Sequence, residues 1–311
     1  FFYKIISNFF DMIKIGLNND TMKAIIKFGR GNEMKAARWH NARDIRVEEV
    51  EEPKAGKGKV KIKVEWAGIC GSDLHEYAAG PIFVPVQEPH PVSKDVAPII
   101  MGHEFSGQVV EVGEGVTKVK VGDPVVVEPI LRCGECPACK KGKYNLCESL
   151  GFHGLSGGGG GFSEYTVVDE HMVHKMPEGL SYEQGALVEP AAVALHAVRL
   201  SKIKPGDKAA VFGTGPIGLL VIEALKAAGA SEIYAVEVSK ERLQKAKELG
   251  ATSVINPIEE DPVQKLHELT DGGVDVAFEV TGIPAVLQQA IDSTAFEGET
   301  VIVSIWEKEA G

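Results

Sequence analysis

Four of the five cysteines in this 311-residue chain fall close together, in a pattern that could bind a metal ion. They are Cys133, Cys136, Cys139 and Cys147, spaced C-x2-C-x2-C-x7-C with turn-forming Gly and Pro between them. Four thiolates fill a tetrahedral zinc shell and leave no position for water or substrate. The spacing therefore predicts a structural zinc site in a lobe over residues 132–148. Disulfides are the competing interpretation.

The fifth cysteine, Cys70, is then the one available for a reaction, although a free cysteine taken alone is more often a packing residue. His103 in "GHE" and Glu189 in "VEP" make a zinc site possible, because Cys, His and Glu can hold the ion with one position open. Glu104 is the rival third ligand. Neighbours in an extended chain point to opposite sides, so His103 and Glu104 are not expected to reach one ion together. We expect Glu189 to be the ligand and Glu104 to be an alternate or supporting group.

A second kind of chemistry is indicated by the stretch "VFGTGPIG", which follows an apolar strand and opens a helix. Its glycines permit a tight turn, close approach of backbone N–H groups to a pyrophosphate, and close packing of helix on strand. The turn therefore predicts a dinucleotide site. The residues expected to contact the cofactor are Gly213, Gly215, Pro216, Ile217 and Gly218.

Glu237 ends the next predicted strand, 24 residues beyond Gly213. A carboxylate at this position accepts hydrogen bonds from the ribose hydroxyls of NAD and repels the 2′-phosphate of NADP, so NAD is the expected cofactor. Lys240 and Arg242 follow closely enough to soften that repulsion and are further candidates for cofactor contact. Both also fit the solvated start of a helix.

The pattern of apolar residues predicts the elements that position these groups. Up to about residue 188, short strands alternate with Gly and Pro turns, and "KVKIKVEWAGIC" has the period of two of a half-buried strand. Further on, strands alternate with helices, which implies βαβ units and a parallel sheet. We therefore expect an α/β protein with a mostly β domain over 34–188 and an NAD-binding domain over 189–311. An atypical N-terminal extension over 1–33 precedes them.

Charge and composition restrict the class of partner. The net charge of −11 argues against nucleic acids and anionic membranes, because such surfaces select for basic patches. No segment approaches the run of about 18 apolar residues that a membrane span requires. An odd number of cysteines in a chain this large is not a disulfide framework. These features favour a small-molecule substrate and a cytoplasmic location.

From Met34 onward the chain resembles the zinc-dependent medium-chain alcohol dehydrogenases. Within that family it looks most like the polyol branch that includes sorbitol dehydrogenase, and in particular like the (R,R)-2,3-butanediol dehydrogenases. The resemblance covers nearly all of residues 34–311. It rests on the four-cysteine lobe and on "GICGSDLHEY", "GPIFVPVQEPHP", "APIIMGHEFSG", "GGFSEYTVV", "SYEQGALVEPAAVALHAVR" and "GTGPIG".

The resemblance implies a GroES-like catalytic domain and a doubly wound Rossmann domain. It also implies two zinc ions, one catalytic ion held by Cys70, His103 and Glu189 and one structural ion held by the lobe. The implied reaction is NAD-dependent oxidation of (R,R)-2,3-butanediol to acetoin, with sorbitol or L-threonine as alternative substrates. Ser72 would accept the proton and pass it towards His75, and turn capping is the competing role of both residues.

The resemblance further implies a homodimer or homotetramer. The chain stops at Gly311, some tens of residues before members of this family normally end. We therefore keep an alternative of another class, a truncated product that binds zinc but is catalytically inactive.

Overall fold

The computed structural model describes residues 33–306. The predicted extension over 1–33 lies outside the described residues, apart from Glu33, which begins the first strand. The chain divides between Glu189 and Pro190 into two compact units, named here the N-terminal unit and the C-terminal unit. That division falls one residue from the predicted domain boundary.

The N-terminal unit is built mainly of antiparallel strands. Its strands are β1 (Glu33–Asn41), β2 (Asp44–Glu51), β3 (Lys59–Gly68), β4 (Ile99–Ile100), β5 (Glu104–Val112), β6 (Pro124–Val127), β7 (Ile130–Leu131), β8 (Gly151–Phe152), β9 (Tyr165–Asp169) and β10 (Val173–Lys175). Its helices are α1 (Gly71–Ala79), α2 (Pro137–Lys140) and α3 (Tyr182–Gly185), with 3-10 turns at Tyr144–Leu146 and Glu170–Met172.

These strands form three antiparallel sheets, with strand orders β2-β1-β4, β10-β6-β5-β3-β9 and β7-β8. In the largest sheet the apolar side chains of β3 and β5, among them Val60, Ile62 and Phe105, form the core. The strand predicted from "KVKIKVEWAGIC" is confirmed, but Lys61 is buried instead of solvated. Its ammonium group pairs with Glu52 and lies 4.9 Å from the centroid of the Tyr165 ring. These contacts compensate the buried charge.

The C-terminal unit alternates strands and helices. Its strands are β11 (Lys208–Phe212), β12 (Glu232–Val236), β13 (Ser253–Ile255), β14 (Val274–Glu279) and β15 (Thr294–Ile302). The helices are α4 (Val188–Leu200), which begins just before the division of the chain, α5 (Pro216–Ala228), α6 (Lys240–Leu249), α7 (Pro262–Thr270) and α8 (Pro284–Asp292).

All strand pairs of this sheet are parallel, and the order is β13-β12-β11-β14-β15. Counted from β11, this is the 3-2-1-4-5 order of a doubly wound Rossmann sheet. The predicted α/β fold class, a mostly β domain followed by a Rossmann domain, is therefore confirmed. In such sheets the strand order reverses between the first and fourth strands, here β11 and β14, and ligands bind beyond the carboxyl ends of the strands at that point.

Candidate active site and metal centres

Three predicted site residues converge in the N-terminal unit. The sulfur of Cys70, a ring nitrogen of His103 and a carboxylate oxygen of Glu104 all lie within 4.8 Å of one another. His103 and Glu104 are buried, and Cys70 is partly buried. A thiolate, an imidazole and a carboxylate are the donor types that zinc binds in catalytic sites.

Asp73 links the backbone of Cys70 to the side chain of His103, and the sequence analysis did not identify it. Cys70 is the N-cap of α1, and its backbone N–H donates to Oδ2 of Asp73 at 2.9 Å. The other oxygen, Oδ1, lies 3.5 Å from Nδ1 of His103. An acid three residues after an N-cap is the spacing of a capping box, so the sequence did carry a signal for Asp73. A carboxylate beside a ligand histidine fixes the orientation of its ring.

His103 and Glu104 both lie close to Cys70, which differs from the expectation that these two neighbours face opposite sides. His103 precedes β5 and follows Gly102, whose φ is +94°, so the alternation of an extended strand does not apply to it. Gly68 lies opposite Glu104 across the pairing of β3 with β5. A Cβ at Gly68 would lie 2.4 Å from Oε2 of Glu104. The missing side chain at Gly68 therefore makes room for the carboxylate beside Cys70 and His103.

The electrostatics of this cluster favour a bound cation. Burial alone lowers the pKa of His103, but Asp73 and Cys70 outweigh it and raise the pKa to about 11. Burial raises the pKa of Glu104 above its usual value. Nδ1 of His103 and Oδ1 of Asp73 are buried without a hydrogen-bond partner among the described residues. An environment that stabilises a proton on His103 this strongly also stabilises a divalent cation, so the residues fit zinc.

The other predicted members of the site lie at different distances from this cluster. Ser72 is buried, and its Oγ lies 3.3 Å from Nε2 of His103. His75, one turn further along α1, is exposed. Glu189 is not among the three converging groups, but burial raises its pKa to about 7, and the charges of His103 and Glu104 act on it. The structure therefore places Glu189 within electrostatic reach of the cluster and brings Glu104 into it.

The four cysteines of the predicted lobe converge separately. Their sulfurs all lie within 4.8 Å of one another, and the described structure contains them as free thiols. The Cys133–Cys147 and Cys136–Cys147 sulfur distances are 3.5 and 4.0 Å, well beyond the roughly 2.05 Å of a disulfide. The geometry thus favours a metal site over the competing disulfide interpretation.

Backbone groups of the lobe prepare the sulfurs to bind a cation. Cys133 Sγ accepts from the N–H of Cys136 at 3.3 Å, and Cys147 Sγ accepts from the N–H groups of Cys133 and Ser149, each at 3.3 Å. Hydrogen bonds from backbone N–H groups, the largest effect coming from that of Cys139, lower the pKa of Cys136 to about 6. Burial and the neighbouring sulfurs raise the pKa of Cys139. A divalent cation relieves the repulsion of four crowded thiolates, so this donor set also fits zinc.

The glycine turn of the C-terminal unit has the shape that dinucleotide binding requires. Gly213 has φ +92° directly after β11, and a Cβ at Gly218 would lie 2.0 Å from the carbonyl oxygen of Gly213. A Cβ at Gly215 would meet nothing within 4 Å among the described residues. Packing among the described residues therefore accounts for Gly218 but not for Gly215, where the open space is what the close approach of a dinucleotide would need. Pro216 and Ile217 begin α5.

Glu237 is buried just after β12 and is held by the backbone around it. Its carboxylate accepts from the N–H groups of Thr214 at 3.0 Å, Val238 at 2.9 Å and Ser239 at 3.1 Å. Burial raises the pKa of Glu237, but these donors and Arg242 lower it below its usual value. The Arg242 guanidinium lies 3.6 Å from the carboxylate, whereas Lys240 pairs with Glu259 at 3.2 Å. Arg242 therefore stabilises the charged form of Glu237.

Comparison with known proteins assigns both units to described families. Residues 56–178 match the alcohol dehydrogenase GroES-like domain, and residues 216–311 match the zinc-binding dehydrogenase domain. No helix among residues 33–306 is long and apolar enough to cross a membrane.

Individual relatives are similar over most of the chain. The (R,R)-butanediol dehydrogenase of Bacillus subtilis is 68% identical over 277 residues, covering 89% of this chain and 79% of that protein. The sorbitol dehydrogenase of Bacillus subtilis is 42% identical over 273 residues, covering 88% and 75%. A crystal structure of 2R,3R-butanediol dehydrogenase from Bacillus subtilis superposes with a TM-score of 0.84 at 68% identity, over 89% of this chain and 79% of that one.

Proposed function

Because the chain belongs to the zinc-binding, GroES-like alcohol dehydrogenases, we propose that it catalyses the reversible, NAD-dependent oxidation of (R,R)-2,3-butanediol to acetoin. The observation that supports zinc-dependent alcohol oxidation is the convergence of Cys70, His103 and Glu104, because these donors suit a catalytic zinc with an open position. The substrate follows from the 68% identity to a butanediol dehydrogenase. Sorbitol is the second candidate, supported by the 42% identity to a sorbitol dehydrogenase.

Cys70 and His103 supply two ligands of the proposed catalytic zinc, and a glutamate supplies the third. The sequence favours Glu189 for this position, whereas the geometry favours Glu104, whose carboxylate is the one within 4.8 Å of the other two donors. The glutamate that is not a ligand remains close enough to influence the charge of the site. The four lobe cysteines hold a second, structural zinc, which gives two ions per chain.

Bound zinc would lower the pKa of a coordinated alcohol, and bound NAD would accept the hydride from the carbinol carbon. The protein supplies orientation and a route for the proton. Asp73 holds the ring of His103, and its second oxygen fixes the start of α1 at Cys70. Ser72 lies beside His103, and its hydroxyl would accept the proton of the alcohol while releasing its own proton towards the exposed His75.

The test of this function is an assay of NADH formation by the zinc-loaded protein with (R,R)-2,3-butanediol, sorbitol and L-threonine. We expect kcat/KM for the diol to exceed that for either alternative by about tenfold or more. Activity on sorbitol alone would replace the substrate assignment. Binding of zinc and NAD without turnover of any of the three would overturn the proposed activity.

Replacing Glu237 with Gln is expected to weaken the preference for NAD over NADP. The ratio of kcat/KM with NADP to that with NAD should rise by about tenfold, because a neutral amide no longer repels the 2′-phosphate. Glu241→Gln, which removes an exposed charge from the first turn of α6, is the matched control and should leave the ratio unchanged. Equal use of NADP and NAD by the unaltered protein would remove the role given to Glu237.

We further propose that the protein forms a homodimer or homotetramer and is located in the cytoplasm. The odd number of cysteines in a chain this large, which does not form a disulfide framework, supports a reducing compartment. Light scattering on the purified protein measures the mass of the assembly, and a monomer would exclude the proposed state.

A further inference from the structure

Glu76 is a fully buried carboxylate that the proposed chemistry does not use. It lies on α1, six residues after Cys70. Its two oxygens accept hydrogen bonds from three consecutive backbone N–H groups in the segment that follows the helix. Ile82 donates to both oxygens at 3.0 Å, Phe83 donates to Oε1, and Val84 donates to Oε1 at 3.1 Å.

This arrangement requires a carboxylate. Successive N–H groups that point into one concavity form an anion-binding nest, and hydrogen bonds to a charged acceptor are about twice as strong as neutral ones. An ionised Glu offers acceptors only, whereas Gln would direct an NH2 group at N–H donors. Space is also restricted, because a Cβ at Gly80 would lie 2.5 Å from Oε2 of Glu76. Glu76 thereby fixes the path of residues 80–84, named here the 80–84 segment, against α1.

The 80–84 segment packs towards the candidate catalytic site. Val84 and Phe83 belong to the same apolar cluster as Ile69, which precedes Cys70, and Met101, which lies two residues before His103. The Phe83 ring makes an edge contact with Phe152, with a centroid distance of 5.8 Å.

A second contact connects the chain around Phe152 with the candidate catalytic site, through Gly154 and Gly102. Two residues after Phe152, Gly154 lies so close to Gly102 that a Cβ there would be 2.0 Å from the Gly102 carbonyl oxygen. Gly102 directly precedes His103. The 80–84 segment therefore belongs to the packing that surrounds two of the proposed zinc ligands.

We propose that Glu76 is a positioning residue that sets substrate specificity, by holding the 80–84 segment as an apolar wall for the half of the diol that does not react. This inference rests on the proposed function. Ile82, exposed at 44% although apolar, and the partly exposed Phe83 give the segment a surface suited to the terminal methyl group of butanediol. The reacting carbinol is held by other groups, so loss of the wall acts on binding more than on the chemical step.

The experiment compares Glu76→Gln with the unaltered protein on two alcohols. The first is (R,R)-2,3-butanediol, and the second is 2-propanol, which has a reacting carbinol but lacks the second carbinol half. For the variant, KM for the diol should rise about tenfold or more while kcat changes less than about threefold, and kcat/KM for 2-propanol should change less than about threefold. Glu88→Gln, an exposed charge in the following stretch of chain, should leave all values unchanged.

Two further measurements keep the proposal testable if Glu76→Gln folds poorly or if the unaltered protein proves inactive. Gly80→Ala crowds the same carboxylate without removing it and should shift the same KM in the same direction. Hydrogen exchange of the Ile82, Phe83 and Val84 amides in the zinc-loaded protein, without substrate or cofactor, should be about tenfold faster in Glu76→Gln, with the rest of the N-terminal unit unchanged.

Equal losses on both alcohols would overturn the proposal, because a general structural role predicts that result. Unchanged exchange of the three amides would also overturn it. An unaltered protein that oxidises no diol would overturn the proposed function and with it the specificity role. The exchange measurement would in that case still decide whether Glu76 holds the segment.

Discussion

Replacing Cys70 with Ala is expected to lower kcat/KM for (R,R)-2,3-butanediol by about a thousandfold or more. The proposed catalytic zinc loses its thiolate ligand, and a zinc that activates an alcohol contributes several kcal/mol to the reaction, at about 1.4 kcal/mol for each factor of ten. The fold should survive, because Cys70 is only partly buried and its backbone N–H still donates to Asp73.

Zinc content measured on the same samples separates this result from general damage. The amount of zinc should fall from about two ions per chain to about one, because the four lobe cysteines are unaltered. Thermal unfolding followed by circular dichroism should remain close to that of the unaltered protein. Full activity of Cys70→Ala, or an unchanged zinc content, would refute the assignment of the catalytic site.

The same measurement identifies the third ligand when applied to Glu104→Gln and Glu189→Gln. The variant that loses zinc carries the ligand, and the other should keep the metal while its kcat changes. Loss of zinc in Glu104→Gln would favour the geometry of the converging cluster. Loss of zinc in Glu189→Gln would favour the ligand expected from the sequence.

Replacing Cys136 with Ser is expected to act on stability instead of on the reaction. The lobe should lose its zinc, and the free energy of unfolding of the N-terminal unit should fall by about 4 kcal/mol, the scale of losing a structural metal. For a unit of this size the transition temperature should fall by roughly 8 to 16 °C. Thermal unfolding followed by circular dichroism, with zinc analysis, measures both effects.

Cys70→Ala is the matched control for this variant, since each substitution removes one sulfur from a different cluster. The two should show opposite profiles: one loses activity with little change in stability, and the other loses stability while folded molecules retain activity. If Cys136→Ser kept two zinc ions and its full stability, the lobe would not be a structural metal site.

Several features of this protein were predictable because their geometry is local in the sequence. The four lobe cysteines lie within one short stretch, so their spacing alone brings four sulfurs together. The glycine turn lies between a strand and the helix that follows it, and the close approach of Gly218 to Gly213 joins residues only five positions apart. The fold class follows from the periodicity of apolar residues, which each segment carries by itself.

The catalytic cluster was predictable only in part, because contacts between distant segments decide it. The sequence indicated Cys70 and His103, but the position of Glu104 depends on the register that places Gly68 opposite it, and no local pattern encodes that register. The link from Asp73 to His103 joins residues 30 positions apart in the same way.

Glu76 shows most clearly what the tertiary structure adds. In the sequence it is one more charged residue on a short helix, and a charge on a helix is usually solvated. Its burial and its three backbone donors appear only when the chain turns back after α1 and directs consecutive N–H groups at one carboxylate. The sequence by itself determined the fold class and the residue types that chemistry requires. Only the tertiary structure decided which carboxylates lie beside them, because strand register and chain reversal set those distances.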